Sequence, residues 1–285
     1  MGFQSDRPTL LNQEAALMKI KSPYLIKPHA QVRLSKMSTS QTSGYKSEES
    51  AAAVLVKHRK QLADLQDVFY ASQTKALLIV LQGMDTAGKD GTISHIFSGI
   101  NPQGCDVASF KVPTPLEARH DFLWRAHAQV PPRGMINIFN RSHYEDVLSP
   151  RVHKIITDKV MHRRLDDINQ FESMLVDNDV LILKFYLHIS RDEQTRRLQS
   201  RLDDKQKHWK LSEADFHERK FWPQYTDAYE RILSNTSPKH APWFVIPSDH
   251  KWYRNIAISA ILVEALESLK LKYPAPTLDA STIKL

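Results

Sequence analysis

A single cysteine, Cys105, stands in a chain of 285 residues, and this excludes an intramolecular disulfide framework. It follows the turn-like Asn101-Pro102-Gln103-Gly104, a setting that suits a turn or strand start better than a nucleophile. No apolar run approaches the ~18 residues of a membrane span. Nor does a basic segment leading into an apolar stretch open the chain, and Asp6 stands where a myristoylation signal needs Ser or Thr. The expectation is a soluble protein of a reducing, cytoplasmic compartment, without a membrane partner. No internal repeat is visible. The His-Glu-x-x-His, paired Cys-x-x-Cys and Gly-x-Ser-x-Gly patterns are missing, so metalloprotease, zinc-site and esterase chemistry have no support.

What is present begins with Gly83-Met84-Asp85-Thr86-Ala87-Gly88-Lys89, directly behind the apolar run 76–81 and ahead of the helical pattern of Thr92-Ile93-Ser94-His95-Ile96-Phe97. A buried strand that breaks into G-x-x-x-x-G-K and then opens a helix is an arrangement that holds phosphates. Its glycines let backbone N–H groups converge on an anion, the helix N-terminus adds its positive end, and the lysine reaches the outer phosphate oxygens. The phosphate-binding stretch is read as Gly83, Ala87, Gly88, Lys89, Asp90, Gly91 and Thr92. The usual Ser or Thr after the lysine is here Asp90. Asp85 is unexpected in an anion cradle, where it repels the ligand unless a cation neutralises it. It is read as a Mg²⁺ ligand or a group orienting the acceptor, with a helix-capping carboxylate as the alternative.

The chain carries 39 Lys and Arg against 32 Asp and Glu, a formal charge of +7, with pI near 9.3. Such a field favours anionic partners: nucleotides, polyphosphate, nucleic acid or acidic protein. Basic residues concentrate between Arg133 and Arg164, and this stretch reads as a phosphate-facing surface or a plain solvated face.

Residues 1–47 are polar, without sustained periodicity, and read as an arm partly ordered against the body. Ser47 caps a helix whose stripe (Val54, Leu55, Leu62, Leu65, Val68, Phe69) belongs to the core. Strands and helices then alternate, the pattern of a mostly parallel sheet covered on both faces. Strands are expected at 75–82, 106–110, 135–139, 180–189 and 243–247. A helix capped by Thr114 should run through Trp124 to about Gln129, another should span 157–177, and a last amphipathic helix should follow the fifth strand. The stretch 191–222 reads as a lid, too charged over 191–211 to be buried.

Ligands of an open α/β sheet bind at the carboxyl ends of its strands. Those ends offer the phosphate loop, then Lys111, then Asn140-Arg141-Ser142-His143-Tyr144-Glu145, then the arginine-rich lid. Asn140 replaces the Asp that holds Mg²⁺ in many P-loop enzymes. Arg141 suits a phosphate grip, and Glu145 either restores the missing charge or is an exposed first-turn acid. His143 reads as a packing or hydrogen-bonding residue and not a base, because transfer between two phosphates needs no proton abstraction. Catalysis then reduces to positioning and charge neutralisation.

Five stretches, 81–92, 108–114, 138–148, 183–190 and 241–247, together resemble polyphosphate kinase family 2, and among its subgroups class III. The likeness spans roughly 50–272. It implies an α/β, P-loop kinase-like three-layer sandwich with a central parallel five-stranded sheet and a helical lid. The organisation reads as an arm (1–47), a kinase domain (48–273, lid 191–222) and a tail (274–285); the first 45 residues match nothing in the family, and nothing functional is carried onto them. It further implies Mg²⁺-dependent transfer of the terminal phosphate of inorganic polyphosphate to AMP and ADP, giving ADP and ATP, with Mn²⁺ as a substitute metal. By motif, Asp85, Lys89, Asn140, Arg141 and Glu145 would be catalytic, with Asp85 and Glu145 at the metal. Arg201 and Lys210 match the family's lid. Polyphosphate would run along Lys89, Lys111, Arg141, Arg151 and the lid, in a homodimer or homotetramer. Ser149-Pro150 departs from the family pattern. The rivals are an ATP-dependent nucleoside monophosphate kinase and a nucleic-acid-binding P-loop protein, and no RNP-type or zinc-finger motif supports the second.

Overall fold

The computed structural model describes residues 20–211 and 213–278; the side chains of Lys210, Ala214 and Asp215 lie outside the described ones. Of the arm and tail, 1–19 and 279–285 are therefore outside the description.

Five strands form one sheet: β1 (Ala76–Gly83), β2 (Cys105–Ser109), β3 (Ile136–Asn140), β4 (Val180–His188) and β5 (Trp243–Pro247). Their order is β2-β3-β1-β4-β5 and every pairing is parallel. All residues of β1 and β4 are buried on both alternating sets, which requires helices on both faces. The helices are α1 (Glu48–Ser72), α2 (Lys89–Ile96), α3 (Trp124–His127), α4 (Glu145–Val152), α5 (Asp158–Asp177), α6 (Arg191–Asp203), α7 (Glu213–Glu218), α8 (Trp222–Asn235) and α9 (Lys251–Ser268). One group packs α9 against α1, α2 and β5, and the other packs α4, α5 and α8 together with α5 on β4. The register aligns Leu81 with Asn140 and Asn140 with Ser109. Three strands thus end at one level and deliver the phosphate loop, the 141–145 loop and Lys111 to the same edge.

Ser47 caps α1 as expected, its side chain accepting from the Ser50 amide. The expected helix from Thr114 to Gln129 is corrected. Thr114 and Glu117 do form a reciprocal cap, with Thr114 N–H donating to Glu117 Oε2 at 2.7 Å. Only a 3₁₀ turn, Glu117–Arg119, follows, because Asp121 restarts the chain by accepting from the Leu123 amide, and one turn of α3 results. Pro150 sits inside α4 without breaking it. Proline lacks the N–H that would bond the carbonyl four residues earlier, and here Arg164 Nη1 donates to that Asp146 carbonyl at 2.5 Å instead.

Within residues 20–47, Tyr24 to Ile26 pair with β5, and later residues bond to α8 and to Asp249. Ile26 N–H donates to the Trp243 carbonyl and Val245 N–H to that of Tyr24, both at 2.9 Å, while Ile20, Ile26, Val32 and Leu34 are buried. The segment covers a sheet edge that would otherwise present unpaired backbone groups.

Candidate active site

A cleft of about 1160 Å³ opens at the carboxyl edge of the sheet, between the phosphate loop, the start of α1, α6 and the first turn of α9. Ten of its lining residues are Lys or Arg and four are Asp or Glu, so its field favours a polyanion.

The phosphate loop is tightly built. A Cβ on Gly83 would stand 2.8 Å from the Leu187 carbonyl oxygen, and one on Gly88, at φ +107°, would strike the Arg254 guanidinium. Thr86 adopts φ +65° without being glycine, a strained conformation held by its surroundings. Lys89 is 9 % exposed and donates to the Gly83 carbonyl at 2.8 Å. Burial, reinforced by Arg141, brings its ammonium down to about 8.

Across the loop, Arg141 adopts φ +62° and reaches both candidate metal ligands, with Nη2 at 2.6 Å from Asp85 Oδ1 and Nη1 at 3.7 Å from Glu145 Oε2. Burial opposes the guanidinium's charge, but Glu145 and Asp85 outweigh it and hold the group charged. Glu145 is not the exposed acid of the alternative reading. Its side chain is 14 % exposed, and burial raises it above the ordinary carboxylate range against the pull of Arg141 and Lys89. Asn140 Nδ2 donates to Asp90 Oδ1 at 2.7 Å, leaving its amide oxygen available. His143 is fully buried, as a packing residue should be.

Asp85, Asp90, Gly88, Lys89, Gly91, Lys111, Asn140, Arg141 and Arg201 all line the cleft. Gly83 and Glu145 line a small adjoining pocket that shares Asp85 and Arg141 with it and is walled by Trp222, Tyr225 and Tyr229. Lys111 is placed from behind: the buried Arg125 donates to its carbonyl at 2.7 Å while gripping Asp146 at 2.7 Å. Ala87 and Thr92 support the loop from within, Thr92 Oγ1 donating to the Gly88 carbonyl at 3.0 Å. Arg151 is not brought to the cleft. It binds Asp158 at 2.8 Å. Other members of the basic 133–164 stretch are likewise engaged, Arg133 with Asp179 and Arg164 with the Asp146 carbonyl. Only Arg141 from that stretch lines the cleft. The side chain of Lys210 lies outside the described residues.

The expectation that 191–211 is too charged to be buried is corrected at the centre of α6. Gln194, Arg197 and Leu198 are buried. Arg197 donates to the carbonyls of Thr86, Ala87 and Ser248 at 3.0, 2.9 and 2.5 Å and to Glu193 at 2.8 Å. Arg254, on α9, donates to the Ala87 carbonyl at 3.0 Å, and burial followed by the nearness of Arg197 lowers it to about 9. These two guanidiniums hold the loop's carbonyls on the inside. Sequence reading did not single them out. The signal for Arg254 was its place in the first turn after the fifth strand, at the same sheet edge as every other site residue.

The model of the family described as "Polyphosphate kinase 2 (PPK2)" matches residues 45–274. The chain belongs to the polyphosphate kinase 2 family. It is 47 % identical over 255 residues to the AMP/ADP-polyphosphate phosphotransferase of Meiothermus ruber, covering 89 % of this chain and 95 % of that protein. To the ADP-polyphosphate phosphotransferase of Rhodopseudomonas palustris it is 43 % identical, covering 91 % and 94 %. The crystal structure of polyphosphate kinase 2 from Arthrobacter aurescens TC1 superposes with a TM-score of 0.88 at 41 % identity, covering 92 % of this chain and 95 % of that one. This polyphosphate kinase 2 chain accordingly has the P-loop kinase fold and is a polyphosphate:nucleotide phosphotransferase.

Proposed function

We propose that this enzyme moves the terminal phosphoryl group of inorganic polyphosphate onto AMP and ADP, as a class III member of its family, with Mg²⁺ as the metal. The P–O bond to the penultimate phosphate breaks, and a new P–O bond forms to a terminal phosphate oxygen of the nucleotide. The carrying observation is the charge arrangement around Arg141. Asp85 and Glu145 flank it at 2.6 and 3.7 Å, and Lys89 lies on the facing loop. Two cations and two carboxylates balance before any substrate binds, so each added phosphate must be neutralised from elsewhere. The arginines and lysines of the cleft supply part of this. The donor set also suits a hard divalent cation, since Mg²⁺ is commonly held by one or two carboxylates plus substrate phosphates. Asp85 and Glu145 would hold it, and bound Mg²⁺ would neutralise charge building on the transferring group.

The protein's own part is positional. Lys89, freed from the Gly83 carbonyl, grips a phosphate oxygen, and Arg141 offers its planar fork between the cleft and the adjoining pocket. The amides of the loop face the anion because Arg197 and Arg254 retain its carbonyls. No base is required, as a nucleotide phosphate is already ionised. The arm, the lid boundaries, the cytoplasmic location and a homodimeric or homotetrameric assembly belong to the same proposal; the assembly and the lid rest on the family likeness, the arm and the location on composition.

Incubation of AMP, polyphosphate and Mg²⁺ with chromatographic analysis tests the reading. ADP should appear first and ATP after it, and both should be lost in Arg141→Ala. Formation of ADP from ATP and AMP without polyphosphate, with no product from polyphosphate, would sink it.

A further inference from the structure

Behind the loop that carries Arg141 and Glu145 lies a buried ion pair that no step of phosphoryl transfer uses. Lys184 on β4 and Glu172 on α5 are both 0 % exposed, with Nζ 2.5 Å from Oε2. The ammonium has three protons and meets three acceptors: Glu172, the Thr236 carbonyl at 2.7 Å and the Tyr144 hydroxyl at 3.0 Å. The other Glu172 oxygen accepts from the Tyr144 hydroxyl at 2.9 Å and lies 3.2 Å from His143 Nε2. Burial alone would raise Glu172, but Lys184 and His143 hold it below the ordinary carboxylate range. A buried pair of this kind is weak as a source of stability, because apolar residues of similar volume often serve as well. What it touches is more informative.

His143 and Tyr144 are the residues immediately before Glu145 and just after Arg141-Ser142. Ser142 is itself pinned, its hydroxyl accepting from Gln82 Nε2 at 3.1 Å and from the Tyr144 amide at 3.2 Å. Arg141 sits in the left-handed region, which a non-glycine residue keeps only when neighbours over-determine it. The segment 142–144 is thus fixed from the core side at each residue, while residues 141 and 145 project toward the cleft and its adjoining pocket.

We infer that the Glu172–Lys184 pair, acting through Tyr144 and His143, is a positioning unit that aims Arg141 and Glu145 at the reacting phosphates. This rests on the reading of Arg141 and Glu145 as site residues. None of the four core groups touches substrate; their effect is on where the guanidinium and carboxylate stand.

Tyr144→Phe tests it, removing one hydroxyl while keeping the ring, and avoids Glu172→Gln or Lys184→Met, which leave a buried charge without its partner. Ser237→Ala serves as the comparison, because Ser237 is buried beside this network, bonding the Ile26 carbonyl and the Trp243 amide, and does not touch 141–145. Tyr144→Phe is expected to lower kcat at least tenfold and to raise the calorimetric Kd for polyphosphate at least threefold. Ser237→Ala, with an equal or greater fall in melting temperature, should keep both near wild type. Wild-type kcat and affinity in Tyr144→Phe would overturn the inference, as would losses in both variants that simply follow melting temperature. If Arg141→Ala, measured alongside, remains fully active, the site reading itself fails. If Arg141→Ala fails while Tyr144→Phe does not, only the positioning role falls.

Discussion

Lys89 carries a charge that can be titrated within an ordinary assay range. Its ammonium is held at about 8 by burial and by Arg141, so the cation to which the proposed function assigns the phosphate grip is present below that pH and is lost above it. In the free enzyme, whose ionisations govern kcat/KM, kcat/KM for polyphosphate should fall by about tenfold per pH unit above roughly 8. A profile that stays flat well past pH 9 would contradict this. The linked effect on stability has the opposite sense. The unfolded lysine binds its proton up to a higher pH, so the penalty for burying the charge is complete below about 8 and is relieved as pH rises from there toward the ordinary lysine value. Acid conditions therefore favour grip while alkaline ones favour the fold at this residue.

α6 is better described as a fixed base with a charged outer face than as a wholly mobile cover. Its Arg197 is 7 % exposed, whereas its neighbour Arg196 is 68 % exposed and pairs with Glu193. Arg197→Ala would take this donor from the buried carbonyls of Thr86 and Ser248, each a loss of about 1–3 kcal/mol, while the Ala87 carbonyl keeps its bond from Arg254. It should lower the melting temperature by several degrees and reduce kcat at least tenfold. Arg196→Ala should leave the melting temperature unchanged, since exposed pairs of this kind contribute little. Equal effects from the two variants, in a thermal melt and a coupled assay, would show that α6 does not brace the loop. Beyond Asp203 follows the 3₁₀ turn Lys205–Lys210, which carries the exposed Trp209.

For the molecule as a whole, the distribution of charge matters more than its total. The formal charge is +7, and basic residues outnumber acidic ones ten to four in the lining of the cleft, where Lys111, Arg201, Lys207 and Lys251 join Lys89 and Arg141. Because salt screens exposed charges over about 8–10 Å near physiological ionic strength, KM for long-chain polyphosphate should rise severalfold between about 50 and 300 mM KCl. KM for AMP, with far fewer charges, should change less. Steady-state kinetics at fixed free Mg²⁺ would measure both. Parallel responses of the two substrates would argue against an extended polyanion track.

The chain's local order determined much of this protein. The uninterrupted apolar runs of β1 and β4, the G-x-x-x-x-G-K turn after the first and the Asn140-Arg141 step after the third are all short-range patterns. Strand, turn and helix preferences act over a few residues, so the parallel sheet and its phosphate loop were legible in them, and Asp85, Lys89, Arg141 and Glu145 could be named from them as candidates. Tertiary structure alone decided which distant charges meet. It turned Arg151 to Asp158 and away from the cleft, drew Arg197 and Arg254 beneath the loop, halted the helix after Thr114 at a single turn, and set Lys184 against Glu172. Arg197 and Arg254 meet the Ala87 carbonyl from 110 and 167 positions away, and even Arg151 and Asp158, seven apart, face each other only through the way the chain folds between them, which no pattern of neighbours encodes.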